Sequence, residues 1–141
     1  KIKKEFPKYY NVLSEIKVRF QFIDQTIILE DWAEMIQLDE NKNFKQVRFS
    51  PRLDFVPLVD KEKLEIYYSA RKKISELYNS DKYKIEFKLL SGDLLMMDNH
   101  RLLHGRTGYN TNEGKRFLQG CYIDYDSTEG KLKHLKRKFN L

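Results

Sequence analysis

Between Tyr83 and Leu90 charged and apolar residues alternate without a break, with Lys84, Glu86 and Lys88 set against Ile85, Phe87 and Leu89. Successive side chains of an extended strand point to opposite faces, so this pattern predicts a strand with one buried and one solvated side. The same period of two recurs in Lys17 to Phe22, where Val18, Phe20 and Phe22 share a side. Glu34 to Phe49 predicts a hairpin. Met35, Gln37 and Asp39 oppose Ile36 and Leu38 on the outgoing arm, Asp39-Glu40-Asn41-Lys42-Asn43 turns, and Val47-Arg48-Phe49 returns. Leu94 to Asp98, after the turn Ser91-Gly92-Asp93, and Arg116 to Tyr125 predict two more strands.

Three stretches follow the helical period instead. Phe6 to Ile16 carries Tyr9, Val12, Leu13 and Ile16 on one stripe, and Pro7 is tolerable in a first turn. Asp60 is placed to cap Lys61 to Tyr78, the longest predicted helix, whose inner face reads Leu64, Tyr67, Tyr68, Arg71, Ile74, Leu77 and Tyr78. Glu129 to Phe139 closes the chain. The segment Ser50-Pro51-Arg52-Leu53-Asp54 breaks regular structure and predicts a loop running to Val59. Short alternating strands with a few helices imply a mainly β, α+β domain: an antiparallel barrel or sandwich with helices packed outside.

At 141 residues, with no internal repeat or Pro/Gly-rich linker, the chain is read as one continuous unit. It opens on Lys1, which suits a processed protein or a fragment. No apolar stretch follows the basic start, so no signal peptide is expected. The longest apolar runs, such as Leu94 to Met97, are far too short to span a bilayer, so no membrane partner is expected. A single cysteine, Cys121, excludes an internal disulfide and fits a reducing, cytoplasmic setting. The net charge of +6 gathers in the tail, at Lys131, Lys133, Lys136, Arg137 and Lys138. Such a tail can bind nucleic acid. No RNP motif, zinc-finger spacing or Gly-rich phosphate loop accompanies it, so a solvated helix face and no nucleic-acid partner are expected.

The chemistry concentrates in Leu94 to Arg106 and Lys115 to Tyr122. His104 follows an apolar strand and precedes Gly105, and a neutral imidazole there suits a metal or general-base work; a structural histidine is the competing reading. His100 lies four residues earlier, a spacing that would put both on one face of a helix as zinc ligands, but the position a His-Glu-x-x-His site needs holds no Glu. His134 belongs to the basic surface. Alternation places Arg116, Leu118, Gly120, Tyr122 and Asp124 on one strand face, with Cys121 on the other, in the core. Arg116 offers a planar fork to a carboxylate, and a salt bridge is its alternative. Tyr122 offers a ring face to a cation, or packs as an ordinary core Tyr. Asp98 and Asn99 can cap the turn before His104, and Arg106 can brace that loop through Asp98 or Asp124. None of the three histidines begins a His-x-Asp or His-x-Glu pair.

The pattern Asp98-Asn99-x-Arg101-x-Leu103-His104-Gly105-Arg106, then Arg116-x-Leu118-x-Gly120-x-Tyr122, resembles the γ-butyrobetaine hydroxylase and trimethyllysine hydroxylase group of the TauD/TfdA-like Fe(II)/2-oxoglutarate dioxygenases. Val47-Arg48-Phe49-Ser50-Pro51-Arg52, Phe55-Val56-Pro57 and Ser91-Gly92-Asp93 fit the same group. The resemblance spans residues 1–141 and implies the C-terminal portion of a single double-stranded β-helix (jelly-roll) catalytic domain, whose upstream half would carry the His-x-Asp pair. It implies His104 as the distal iron ligand, Arg116 as partner of the 2-oxoglutarate C5 carboxylate, and Tyr122 beside a trimethylammonium group. Asp98, Asn99 and Arg106 are supporting residues. The implied cofactors are Fe(II), 2-oxoglutarate and O2, with ascorbate as an optional reductant.

The implied activity is hydroxylation of a small-molecule trimethylammonium substrate, γ-butyrobetaine to carnitine in carnitine biosynthesis, by a homodimer. Ser50-Pro51 stands where vertebrate-like γ-butyrobetaine enzymes present Asn residues, and His100 where relatives tend to have Trp or Arg. Trimethyllysine and a trimethylaminoalkyl phosphonate therefore stay open as substrates, and a non-catalytic jelly-roll binding domain stays open as another class. With one ligand histidine, this chain alone is expected to be inactive.

Overall fold

The computed structural model describes residues 1–141 apart from 51, 109, 111 and 113–116. Its elements in chain order are α1 (Ile2–Glu5), α2 (Pro7–Glu15), β1 (Lys17–Ile23), β2 (Ile28–Glu34), β3 (Ile36–Leu38), β4 (Phe44–Val47), α3 (Lys61–Tyr78) and α4 (Tyr125–Phe139). Two compact units result, Lys1–Gly105 and Arg106–Leu141.

In the first unit β1 and β2 pair antiparallel, from Lys17 opposite Glu34 to Ile23 opposite Ile28. Asp24 makes the turn between them. Its Oδ1 accepts the backbone N–H groups of Thr26 at 2.7 Å and Ile27 at 2.8 Å, and these bonds hold the carboxyl below its usual range. β2 has no counterpart in the sequence reading. Ile28-Leu29-Glu30-Asp31 runs in like pairs rather than alternating, so the period-two signal is missing. The ladder supplies what the pattern lacks, and Glu30 adds cross-strand bonds from Arg19 at 2.6 Å and Gln21 at 2.8 Å.

The expected hairpin is present as β3 and β4, with Ile36 opposite Val47 and a bulge between Gln37 and Leu38. Its turn needs a left-handed residue, which Lys42 provides (φ 60°), and Asp39 Oδ1 accepts the Asn43 N–H at 2.8 Å. The expected loop beyond Ser50 is more ordered than its composition suggested. Gln21 N–H donates to the Leu53 carbonyl at 3.0 Å and Phe55 N–H to that of Arg19 at 2.9 Å, so Asp54 bridges the free edge of β1 at Phe20.

Helix α3 has the predicted limits, and Asp60 caps it by accepting the Lys63 N–H at 2.9 Å. With α2 it covers one core of Leu13, Val18, Met35, Ile36, Tyr67, Ala70 and Ile74. Each large apolar member contributes roughly 1.5–3 kcal/mol by leaving water. Tyr67 and Ile74 face inward as expected; Ala70 also does, while Tyr68 lies exposed. The small Ala70 lets α3 pack closely into this core, where a larger side chain would hold it away.

The strands expected at Tyr83 to Leu90, Leu94 to Asp98 and Arg116 to Tyr125 form no ladder among the described residues. Ile85 is 86% exposed and Leu94 92%. The turn between the first two does form: Leu90 N–H donates to Asp93 Oδ2 at 2.8 Å, and Gly92 takes φ 90°. A strand needs a partner for its N–H and C=O groups, and these segments pair with no described strand. The jelly roll therefore does not close among the described residues. In the second unit α4 begins four residues before the expected start, at Tyr125, and its C-terminal carbonyls are closed by Asn140 in a left-handed conformation.

Candidate functional site

The turn before His104 is built by Asp98. Its Oδ1 accepts the His100 N–H at 2.9 Å, and its carbonyl accepts the N–H groups of Arg101 and Leu102, both at 3.1 Å. Asp98 thus has the capping role expected of it. This turn is fastened to the β3–β4 hairpin. Val47 N–H donates to the His100 carbonyl at 3.2 Å, and the Arg101 guanidinium lies 5.4 Å from the Phe44 ring centre. Beyond the turn the chain carries His104 to the surface, with its side chain exposed.

The histidine pair reads differently from a zinc helix. Residues 99–101 form a turn and 102–105 have no helical structure, so His100 and His104 do not share a helix face. Asn99, Gly105 and Arg106 are exposed, and a Cβ on Gly105 would meet nothing within 4 Å. Among the described residues no three His, Cys, Asp or Glu side chains converge on a metal position. One imidazole does not hold Fe(II), so the donor set here is at most part of an iron site.

Arg116 lies outside the described residues. Tyr122 is 92% exposed, and Cys121, expected in the core, is exposed as well. Both go with the missing ladder, since among the described residues 117–124 pair with no strand and both faces are exposed. His134 sits on the exposed helix α4, as expected.

One group of residues near this site was read only as packing. Arg71, on the inner face of α3, donates from Nε to Asp54 Oδ2 at 2.8 Å and from its second terminal nitrogen to Oδ1 at 3.0 Å. The Asp54 side chain is 5% exposed. The bonds to Asp54 raise the Arg71 pKa further. The same guanidinium lies 5.4 Å from the Phe49 ring centre, and Phe49 meets Tyr78 edge-on at 5.3 Å. The Tyr67 hydroxyl is buried with no hydrogen-bond partner among the described residues, and burial, then the Asp54 charge, pushes it up to about 12. The signal was in the sequence: a cation amid an apolar helical face requires a buried counter-charge. Which acid would supply it was not readable.

The profile described as "Taurine catabolism dioxygenase TauD, TfdA family" matches residues 1–122. The chain belongs to this family. It is 32% identical to a gamma-butyrobetaine dioxygenase of Homo sapiens over 98% of this chain and 37% of that protein. It is 28% identical to the gamma-butyrobetaine dioxygenase of Pseudomonas sp. (strain AK-1), over 94% of this chain and 35% of that one. A trimethyllysine dioxygenase of Meyerozyma guilliermondii is 28% identical over 93% of this chain and 33% of its own length. These relatives support placing the chain in the γ-butyrobetaine and trimethyllysine dioxygenase group of the family. The chain spans about a third of the length of the curated relatives it matches. Family membership implies a jelly-roll dioxygenase fold, and the short strands and flanking helices are consistent with part of one. No helix among the described residues is long and apolar enough to cross a membrane.

Proposed function

We propose that this chain forms part of an Fe(II)/2-oxoglutarate-dependent dioxygenase that hydroxylates a trimethylammonium substrate, with γ-butyrobetaine, the precursor of carnitine, as the first candidate. The observation that carries the reading is the family match over residues 1–122 together with relatives named for γ-butyrobetaine and trimethyllysine. The Asp98-built turn that presents His104 beside the β3–β4 hairpin supports it. When bound, iron with 2-oxoglutarate and O2 supplies the oxidising chemistry. This chain contributes one imidazole donor, His104, and the remaining donors come from elsewhere in the whole protein. Arg116 would take the 2-oxoglutarate C5 carboxylate with its planar fork. A quaternary ammonium cannot donate a hydrogen bond, so an aromatic face holds it, and Tyr122 provides one such face. Asp98 fixes the approach of His104, while Asn99 and Arg106 support the same loop. Together these residues would orient the organic substrate for the chemistry that the bound group supplies.

The test is succinate release by the whole protein with Fe(II), 2-oxoglutarate and γ-butyrobetaine, trimethyllysine or a trimethylaminoalkyl phosphonate. Substrate-stimulated succinate is expected, with γ-butyrobetaine giving the greatest stimulation. His104→Ala should abolish both turnover and iron retention; normal iron in that variant would remove His104 from the ligand set. Arg116→Lys should raise the 2-oxoglutarate requirement alone. No iron bound by the wild-type protein would favour a non-catalytic binding domain.

A further inference from the structure

We propose that α4 is an interfacial helix: it lies along an anionic lipid surface, with Leu132, Leu135 and Phe139 in the boundary between acyl chains and headgroups and its cations on the headgroups. The inference stands apart from the dioxygenase reading. The family match ends at residue 122, and α4 runs from Tyr125 to Phe139.

α4 buries none of its residues. A helix of fifteen residues with no packed face is marginal in water. Gly130 weakens it further, and the Asp124 side chain makes no capping bond. The helix nevertheless has a face to offer. Leu132, Leu135 and Phe139 follow one another at helical spacing and form one stripe. Leu132 is 52% exposed and Phe139 60%. At about 100° per residue, Lys131 and Lys138 fall on one side of this stripe and Lys133 and Arg137 on the other. Lys136 stands at its edge.

The charge selects the occupant. The acids of α4, Asp126 and Glu129, sit in its first half, and Glu129 pairs with Lys133 at 3.6 Å. From Gly130 to Leu141 the sequence has five Lys or Arg and no acid. Cations in a last turn complement the helix dipole, which accounts for Lys136, Arg137 and Lys138 but not for Lys131 or Lys133. A second copy of the helix would bring like charges together along both flanks. An anionic bilayer meets both flanks at once. The stems of the lysines then lie on the apolar boundary while their charged ends reach the headgroups. Lys136, beside the stripe, fits the same arrangement; in an acidic protein groove it would need a carboxylate of its own among apolar contacts. No helix among the described residues is long and apolar enough to span a bilayer, but a helix lying in the surface plane needs no such run.

The experiment is flotation of the whole protein with vesicles of phosphatidylcholine alone, or of phosphatidylcholine and phosphatidylserine in equal parts. Binding to the mixed vesicles only is expected. It should weaken strongly as salt rises from about 0.1 to about 1 M, where the screening length falls from roughly 10 to roughly 3 Å. Leu132→Ser/Phe139→Ser should weaken binding at least about 10-fold, by removing the inserted side chains. Lys131→Glu/Lys138→Glu should do the same, since each cation near such a surface strengthens binding about 5-fold. Both variants should melt with the wild type, because α4 buries nothing. Amide exchange at 125–139 should slow on adding the mixed vesicles, which a basic patch elsewhere would not cause. No binding of the whole protein to the mixed vesicles overturns the proposal, and would mean that other parts of the protein cover the stripe. Binding that the serine pair leaves unchanged also overturns it, as charge attraction without insertion. Capture by polyglutamate with no vesicle binding overturns it in favour of an acidic protein partner.

Discussion

Two regions of this chain carry the same alternating signature and end differently. In β1 the alternation puts Val18 fully out of water, against α2 and α3. In Tyr83 to Leu90 an equally regular alternation leaves Ile85 and Phe87 exposed. The intrinsic preference is the same; the difference is the partner. β2 lies beside β1 and satisfies its backbone, and two helices cover the sheet. Lys84 to Leu90 has no strand partner among the described residues, and Lys84 pairs locally with Asp81 at 3.5 Å and Glu86 at 3.4 Å. Alternation specifies which face wants burial and says nothing about what will bury it. Under the proposed function, strands from the rest of the whole protein complete the second region.

The largest test of this contrast is truncation in each region. Ile74→Ala or Leu13→Ala should cost this chain roughly 2–5 kcal/mol in urea unfolding, because each empties part of a closed core. Phe87→Ala should be close to neutral in this chain. In the whole protein its cost should rise into the range of Ile74→Ala. Equal costs for Phe87→Ala and Ile74→Ala in this chain alone would break the contrast.

Amide exchange sharpens it at the level of the backbone. The N–H groups of β1, β2 and α3 should exchange slowly, close to the global opening limit, since they are bonded and lie over the core. Those of 84–90 and 94–98 should exchange quickly in this chain and slow markedly in the whole protein. Slow exchange at 84–90 in this chain would reveal a ladder that the contrast denies.

How much was legible follows the same division. Helix α3, its Asp60 cap and the β3–β4 hairpin could be read because their signals are local: a period, a capping acid, a turn between two arms. The Asp98 turn before His104 was legible for the same reason. β2 was not, since Ile28-Leu29-Glu30-Asp31 does not alternate and its strand exists through pairing with β1. The Arg71–Asp54 pair was not, because its partners are brought together by packing α3 on the sheet. The exposure of Cys121 and Tyr122 ran against the strand reading, which assumed a ladder that residues 117–124 do not form.

The smallest expected effects concern two tyrosines of the well-covered region. Burial pushes Tyr78 up to about 12, and burial with the Asp54 charge does the same to Tyr67. An unfolded tyrosine titrates near 10. Below that pH both states keep the proton and the stability is fully present. Between about 10 and 12 the unfolded chain gives up protons that the folded chain retains, so stability falls as pH rises and is lost through the folded pKa. Each tyrosine accounts for at most about 2–3 kcal/mol of that decline. Tyr67→Phe should flatten the alkaline limb by one such step. Near neutral pH it should change stability by no more than about 1 kcal/mol, in the stabilising direction, because it removes a buried hydroxyl with no partner among the described residues. A destabilisation at neutral pH would mean that the hydroxyl has a partner in solution, such as an ordered water beside the Asp54 carboxylate, and that Tyr67 adds to the stability of folding through that bond.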